Sequence, residues 1–397
     1  MSVAEHTVAV AERVDALLAS HPPATTVAPE FWGAQFDSGL AWVRFPRGRG
    51  GLELDPRWQQ IVEERLALAG APNANRDINV VGLAMAAPTL VSHASDEIQD
   101  RLLRPLFTTE EIWCQLFSEP GAGSDLAGLA TSAVRDGDSW VVNGQKVWTT
   151  LAHRARWGLL LTRTDPDVPK HRGLTYFVLD MHAPGVEVRP LYEITGEAEF
   201  NEVYLTDVRI PDSMRLGEVG QGWTVALTTL MNERVSAGRE IGSRGSGAIG
   251  SAVRHWREHG HDDPVRRDQL MKHWVAAEVL RLTEIRAAEA AGRGTPGPEG
   301  SVAKLRWSEL NQDITDFALG LLGPAAMSHP DGYEFASPEF SQVASGSAQK
   351  MFLRARANSI EGGTSQIMRN ILAERVLGLP GEPRTDRTLP WREVPRG

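Results

Sequence analysis

Residues 114–150, CQLFSEPGAGSDLAGLATSAVRDGDSWVVNGQKVWTT, decide how the rest of the chain is read. The stretch opens in an apolar run and breaks at Glu119-Pro120-Gly121-Ala122-Gly123-Ser124-Asp125. It then carries two turn signals, Asp136-Gly137 and Asn143-Gly144. Such dipeptides accept φ > 0 at low cost, so two successive β-hairpins are expected. Pro120, Gly121 and Gly123 remove side chains and one backbone donor, which lets a ligand approach the main chain closely. Free N–H groups in such a turn can cradle an anion or a polarised ring edge. Ser118, Ser124, Thr149 and Thr150 add short hydroxyls, and Trp148 adds a flat apolar plate. Donors on one side and an indole on the other suit a planar heteroaromatic ligand. The plainer reading is a glycine-rich loop between strands with a core tryptophan; the Trp-Thr-Thr run and its spacing weigh against it. No G-x-G-x-x-G stands between a strand and a helix, so GAGS is not a Rossmann turn.

Outside this stretch, 397 residues allow two or three domains or one multilayered subunit. A hydrophobic fraction of 42% and a charged fraction of 23% are those of a soluble globular protein with a large core. The formal net charge of -10, without a basic block, argues against nucleic acid as a partner. Cys114 is the only cysteine, so no internal disulfide can form; in an apolar run it reads as a small buried residue. The start, MSVAEHTVAVAERVDALL, carries acids and no basic n-region, which predicts an amphipathic helix and not a signal peptide. No apolar run reaches the ~18 residues of a membrane span, so no membrane role and a cytoplasmic location are expected. The histidines and the lone cysteine are read as giving no metal-site pattern, so no metal is expected.

The periodicities predict an α+β, multi-domain chain. Residues 1–112 form an N-terminal α-helical domain, with Val8, Val14, Leu17 and Leu18 as the apolar stripe of the first helix and further helices over 57–70 and 80–106. Residues 113–215 form a central β domain, a small barrel or sandwich, from short runs such as GLLLTRT, LTYFVLDM, VEVRPL and EVYLTDVRIP. Residues 216–380 return to helical periodicity, interrupted by a loop at 292–301 and by a long Pro- and Gly-bearing segment at 323–346. Residues 381–397 are a Pro- and charge-rich tail expected to trail over the surface.

SEPGAGSD followed by NGQKVWTT resembles the flavin-binding region of the acyl-CoA dehydrogenases, and the likeness runs from about Gly70 to Pro380. The resemblance implies an N-terminal α bundle, a central β barrel and a C-terminal four-helix bundle. It also implies FAD, an acyl-CoA substrate, electron-transfer flavoprotein as acceptor and a tetramer. The implied reaction removes an α proton to a carboxylate and a β hydride to flavin N5, giving the trans-2-enoyl thioester. By the same likeness Gln115, Phe117, Ser118, Gly123, Ser124, Trp148, Thr149 and Thr150 would line the flavin. Ser124 would also touch the CoA arm; Thr364, Ser365 and Gln366 would contact the cofactor; and Asn232, Arg234 and Gly363 would contact the substrate.

The base has two candidate positions. In Ser359-Ile360-Glu361-Gly362-Gly363-Thr364-Ser365-Gln366-Ile367 the family's usual glutamate position is Gly362, and Glu361 stands one residue early. In GWTVALTTLMNERVSAG a second position is filled by Glu233, beside Arg234, where isovaleryl-, long-chain- and actinobacterial steroid-type members carry their base. Ala226, Thr229, Ser236 and Ala237 share the helical face of Glu233 and are small, leaving room for a ligand, while Trp223, Leu227 and Leu230 form a bulky core stripe. Glu233 is the expected base and Glu361 the alternative; an ordinary surface ion pair is the plain reading of Glu233 and Arg234. Two family motifs are missing: HGHDDPVRRDQ (259–269) stands where an Arg-Phe-Gly would be, and Gly320-Leu321-Leu322-Gly323-Pro324-Ala325 where a Gly-Gly-x-Gly would be. That departure leaves open a homotetramer and a two-plus-two heterotetramer with a second such chain. A flavin oxidase or monooxygenase on the same scaffold, and a silent subunit of a heteromer, remain as alternatives.

Overall fold

Two apolar runs, Trp157–Arg163 (β4) and Leu174–Asp180 (β5), pair antiparallel and are buried on both faces almost throughout. Such continuous apolar runs are what a strand covered on both sides requires. Around them β1 (Trp113–Leu116), β2 (Ser132–Asp136), β3 (Ser139–Thr150), β6 (Val186–Pro190), β7 (Phe200–Pro211) and β8 (Arg215–Leu216) complete one sheet. Its order is β6-β7-β3-β2-β4-β5-β8, with β1 parallel on β4. This computed structural model describes residues 3–237, 242–259, 263–292, 299–329, 346–381, 383 and 386–395, leaving aside the side chains of 3–4, 233–237, 290–292 and 299. The chain divides into two units, Met1–Leu191 with Phe200–Asn232 and Thr385–Gly397, and Tyr192–Glu199 with Glu233–Arg384.

The first unit has two cores, one on each side of the sheet. On one side Leu159, Leu161, Tyr176 and Val178 join residues of the helices α1 (Val3–Ser20), α2 (Ala28–Asp37), α3 (Trp58–Leu68), α5 (Ala87–His93) and α6 (Asp96–Phe107). On the other side Leu160, Phe177 and Leu179 meet Trp140, Val142, Val203, Leu205, Val208 and Ile210. The N-terminal helices therefore share their core with the sheet. In α1 the buried residues are Val10, Val14 and Leu17, and Val8 is exposed, which corrects the expected stripe. The helix expected over 80–106 is a π-helical turn at 82–86 followed by α5 and α6, broken at Ala94-Ser95, where the Ser95 side chain caps α6.

The expected barrel is not closed. The sheet's path ends at β6 and at β8, and β8 is two residues long, too short to carry the sheet further. Of the two expected hairpins only the first forms, between β2 and β3. Asn143-Gly144 lies inside β3, where the pairing with β7 shifts register between Val142 and Gly144. The bulge lies on the partner strand, where Thr206 and Asp207 stand opposite Asn143: the Asn143 side chain takes the N–H of Asp207 at 2.9 Å and donates to its carboxylate at 3.0 Å, and Asp207 has φ 50°. Gly144 (φ 159°) stays close to extended, and the left-handed residue at this kink is Asp207 on β7.

Asn79, which follows the short α4 (Asn75–Ile78), joins the helices to β1. Its buried side chain donates to the carbonyls of Leu106 (2.9 Å) and Glu111 (3.1 Å) and accepts the Trp113 N–H (2.9 Å). A Cβ on Gly82 would stand 2.5 Å from that amide, so glycine is required there. Asn79 thereby fixes the start of β1, the strand that launches the loop at 117–131.

In the second unit α8 (Gly247–Glu258), α9 (Pro264–Gly292) and α10 (Glu299–Gly320) enclose a core of Ile249, Ala252, Leu270, Leu280, Leu310, Ile314 and Ala318. The shorter α11 (Ala348–Ala355) and α12 (Ser365–Ile371) follow. Most of the loop at 292–301 and of the segment at 323–346 lies outside the described residues. The tail does not trail free: Trp391 donates its indole N–H to the Gly128 carbonyl at 3.0 Å in the first unit.

Candidate functional site

The loop after β1 is shaped by a buried ion pair. Glu119 and Ala122 exchange backbone hydrogen bonds at 3.0 Å each, which closes the turn at Pro120-Gly121. The Glu119 carboxylate then accepts the N–H groups of Ala130 (2.6 Å) and Thr131 (2.9 Å) and the ammonium of Lys146 (2.8 Å). Lys146, with no exposed surface, also donates to the Phe117 carbonyl at 3.1 Å. Burial alone would raise Glu119, but Lys146 and the backbone donors outweigh it and hold the carboxyl below its ordinary range. Burial lowers Lys146, against the pull of Glu119. Both ends of the loop are thus tied to one strand position.

Beside this clamp β3 turns outward. Pairing with β7 shifts again between Lys146 and Thr149, and Trp148 adopts φ 60°, a strained conformation for a bulky residue. The indole is left 56% exposed, edge-on to Phe200 at 5.8 Å. The Val147 N–H holds the Ser118 carbonyl at 2.9 Å, so β3 and the loop present their residues together. Gln115 and Ser118 are half-buried, Phe117 is buried edge-on to Tyr176, Gly123 and Ser124 are exposed, and Thr150 is half-buried. Thr149 is buried, and its hydroxyl has no hydrogen-bond partner among the described residues. An open indole face beside an orphaned hydroxyl and a side-chain-free turn fits a flat, polar-edged ring system, as a flavin is.

In the second unit Gly362 (φ 61°) and Gly363 (φ 96°) make the bend before α12. Lys304 donates to the carbonyls of Asn358 (2.8 Å) and Gly363 (2.7 Å) and fixes that bend. The Thr364 hydroxyl caps α12 by accepting the Ile367 N–H at 3.2 Å. Ser365 is buried, its hydroxyl without a hydrogen-bond partner among the described residues, and Gln366 is exposed. Glu361 is tied down: Arg354 donates to both its oxygens (3.2 and 3.0 Å) and Asn358 donates at 2.7 Å.

Arg354 also lies 3.0 Å from Glu199. Burial is the chief influence on Glu199; with Glu193, Glu361 and Glu197 it outweighs Arg354 and lifts the carboxyl from 4.5 to about 7. A raised folded-state pKa means that the folded chain holds this proton more tightly than the unfolded chain. The stabilising contribution is therefore full below the unfolded value and is lost as pH rises through about 7. Thermal stability of Glu199→Gln relative to the parent is expected to rise between about pH 5 and about pH 8. A difference that stays constant across that range would exclude burial as the cause.

Several expected residues stand differently. Ala226 and Thr229 are fully buried in α7 (Gly222–Ala237), and the Thr229 hydroxyl bonds Thr89 (2.9 Å) and Tyr176 (3.0 Å), so these two positions pack and leave no room for a ligand. Leu227, expected in the core, is 43% exposed. Asn232 donates to the Thr228 carbonyl of its own helix at 2.8 Å. The side chains of Glu233 and Arg234 lie outside the described residues. His255, Glu258 and His259 bring their ligand atoms within 4.8 Å of one another; His255 and His259 are an i, i+4 pair that the reading of the histidines passed over. Sequence reasoning also missed Glu119, Lys146, Asn79, Lys304 and Arg354.

Residues 114–208 match the family described as acyl-CoA dehydrogenase, middle domain, and residues 220–377 match the acyl-CoA dehydrogenase, C-terminal domain. The chain is 37% identical to acyl-CoA dehydrogenase IpdE1 of Mycobacterium tuberculosis, over 87% of this chain and 86% of that protein. It is 41% identical to acyl-CoA dehydrogenase FadE34 of the same organism, over 87% of this chain but 45% of that longer protein. Its fold is similar to a chain of the ChsE4-ChsE5 complex from M. tuberculosis, with TM-score 0.68 and 27% identity over 95% of this chain and 96% of that one.

Proposed function

The chain belongs to the acyl-CoA dehydrogenase family, and from that premise we propose that it oxidises an acyl-CoA thioester to the trans-2-enoyl-CoA, with Glu233 as the base and FAD as the cofactor. Bound FAD would supply the acceptor for the β hydride. The turn at 119–124 and the Trp148–Thr150 strand end would hold the ring system, and Ser365 would hold another part of the cofactor. The observation that carries this reading is the open Trp148 face beside the orphaned Thr149 hydroxyl.

Glu233 would take the α proton. An α C–H is a weak acid, so the carboxylate needs a desolvated setting that raises its pKa towards working pH. Glu361 is the weaker candidate, because its oxygens are already held by Arg354 and Asn358. A branched or steroid side-chain acyl-CoA is the proposed substrate class, and electron-transfer flavoprotein the proposed acceptor. The two missing motifs support a two-plus-two assembly in which a second acyl-CoA dehydrogenase chain completes the ADP portion of the site. A similar fold occurs in the solved ChsE4-ChsE5 complex.

The test is an anaerobic acyl-CoA titration of the purified chain, alone and with a partner chain. Bleaching of the flavin absorbance is expected. Absence of bleaching with every acyl-CoA class in either form would reject the dehydrogenase reading, and full, tightly held FAD in the lone chain would reject the obligate partner.

A further inference from the structure

The tail past residue 385 lies beyond the region matched by either family description, the later of which ends at 377. It is nevertheless built into the first unit. Its main chain docks on the β4–β5 connection, with the Trp391 N–H on the Val168 carbonyl (2.9 Å) and the Arg392 N–H on that of Pro166 (3.1 Å). Pro390 forms a bridge with Pro169, and Arg392 pairs with Asp167.

Three successive carbonyls of the loop after SEPGAGSD are held from this side. The buried Arg163 guanidinium donates to Ala127 (2.5 Å) and Leu129 (3.1 Å), while Trp391 donates to Gly128 between them (3.0 Å). The same indole covers Arg163, with the guanidinium carbon 4.5 Å from the ring centroid. At the near end of the loop Lys170 donates to both oxygens of Asp125 (2.9 and 2.8 Å) and to Asp386 of the tail (2.5 Å). The tail thus reaches both ends of residues 125–129, directly after Ser124.

We propose that residues 386–395 are a positioning strap, which holds the 125–131 loop in the shape that presents Ser124 to the acyl-CoA. The ligand part of this statement rests on the function proposed above; the loop part does not. Indole over guanidinium keeps water from the Arg163 donors, so both of its loop carbonyls depend on a residue more than 220 positions later. Asp386 neutralises Lys170 together with Asp125, so its loss weakens the grip at the start of the loop.

The test uses the full chain and the variants Trp391→Ala, Trp391→Phe and Asp386→Asn. Hydrogen exchange of the amides at 125–131 is read without ligand, and KM and kcat for acyl-CoA are read with FAD saturating. Trp391→Ala should speed loop exchange at least about tenfold while β4 and β5 keep their protection. KM should rise several-fold with kcat changed less than about twofold. Trp391→Phe, which keeps the ring but not the donor, should fall between. Unchanged loop exchange in both Trp391→Ala and Asp386→Asn overturns the strap, and faster exchange with unchanged KM overturns its role towards the ligand. If even the parent turns over no acyl-CoA, the failure belongs to the function reading, and loop exchange alone decides the strap.

Discussion

Glu233→Gln should leave acyl-CoA binding intact and slow flavin bleaching by about 10²- to 10⁴-fold, the usual worth of a positioned general base. The amide matches the carboxylate in shape but cannot accept the α proton, so the loss should fall on the chemical step and not on affinity. Glu361→Gln makes the contrasting case. Glu361 shares the Arg354 guanidinium with Glu199, and replacing it takes one carboxylate from Arg354. Its effect should appear as lowered thermal stability, with the bleaching rate within about tenfold of the parent. Glu361 is 32% exposed, so the stability loss should stay well below the ~3–5 kcal/mol of a fully buried broken pair. Rapid anaerobic mixing separates the two. Bleaching that survives Glu233→Gln and disappears in Glu361→Gln would reverse the assignment.

How much was legible can be seen residue by residue. The buried strands β4 and β5 are readable because five of the seven residues of the first and six of the seven of the second are apolar or β-forming, whatever covers them. The loop SEPGAGSD was readable because its glycines and proline announce an unusual backbone. Asn143-Gly144 was misread because the dipeptide reports only that φ > 0 is cheap; whether the chain turns or kinks depends on β7, which arrives some sixty residues later. Lys146 was hidden by the same error. Counting every second residue from Trp140 and Val142 lands on Lys146, but only if the strand is allowed to run through Asn143-Gly144. Helical spacing places Thr229 and Ala226 on the face of Glu233 but does not say what packs on that face, and both are buried. Trp391 and Asp386 carry no local signal at all, since a polar Pro-bearing tail reads the same whether it docks or not.

The Lys146–Glu119 pair sets the second large expectation. Lys146→Met should cost about 3–5 kcal/mol, because it strands a buried carboxylate with only two backbone donors. It should also free the Phe117 carbonyl, so flavin retention should fall with stability. The pH dependence distinguishes this from lost packing. In the parent chain Glu119 is held below its ordinary range, so its contribution is present at neutral pH and is lost only as pH falls through that lowered value. Without Lys146, burial governs Glu119 and raises it; the variant then loses stability as pH rises through the raised value. The gap between parent and variant should accordingly narrow on going from about pH 8 to about pH 5. Adding Glu119→Gln to Lys146→Met removes the stranded charge and should recover part of the loss, a coupling that two independent packing defects would not show. Denaturant unfolding of the four proteins of this cycle at both pH values measures it. A loss below about 1 kcal/mol, equal at both pH values and additive in the double variant, would mean that the buried pair is not what holds the loop.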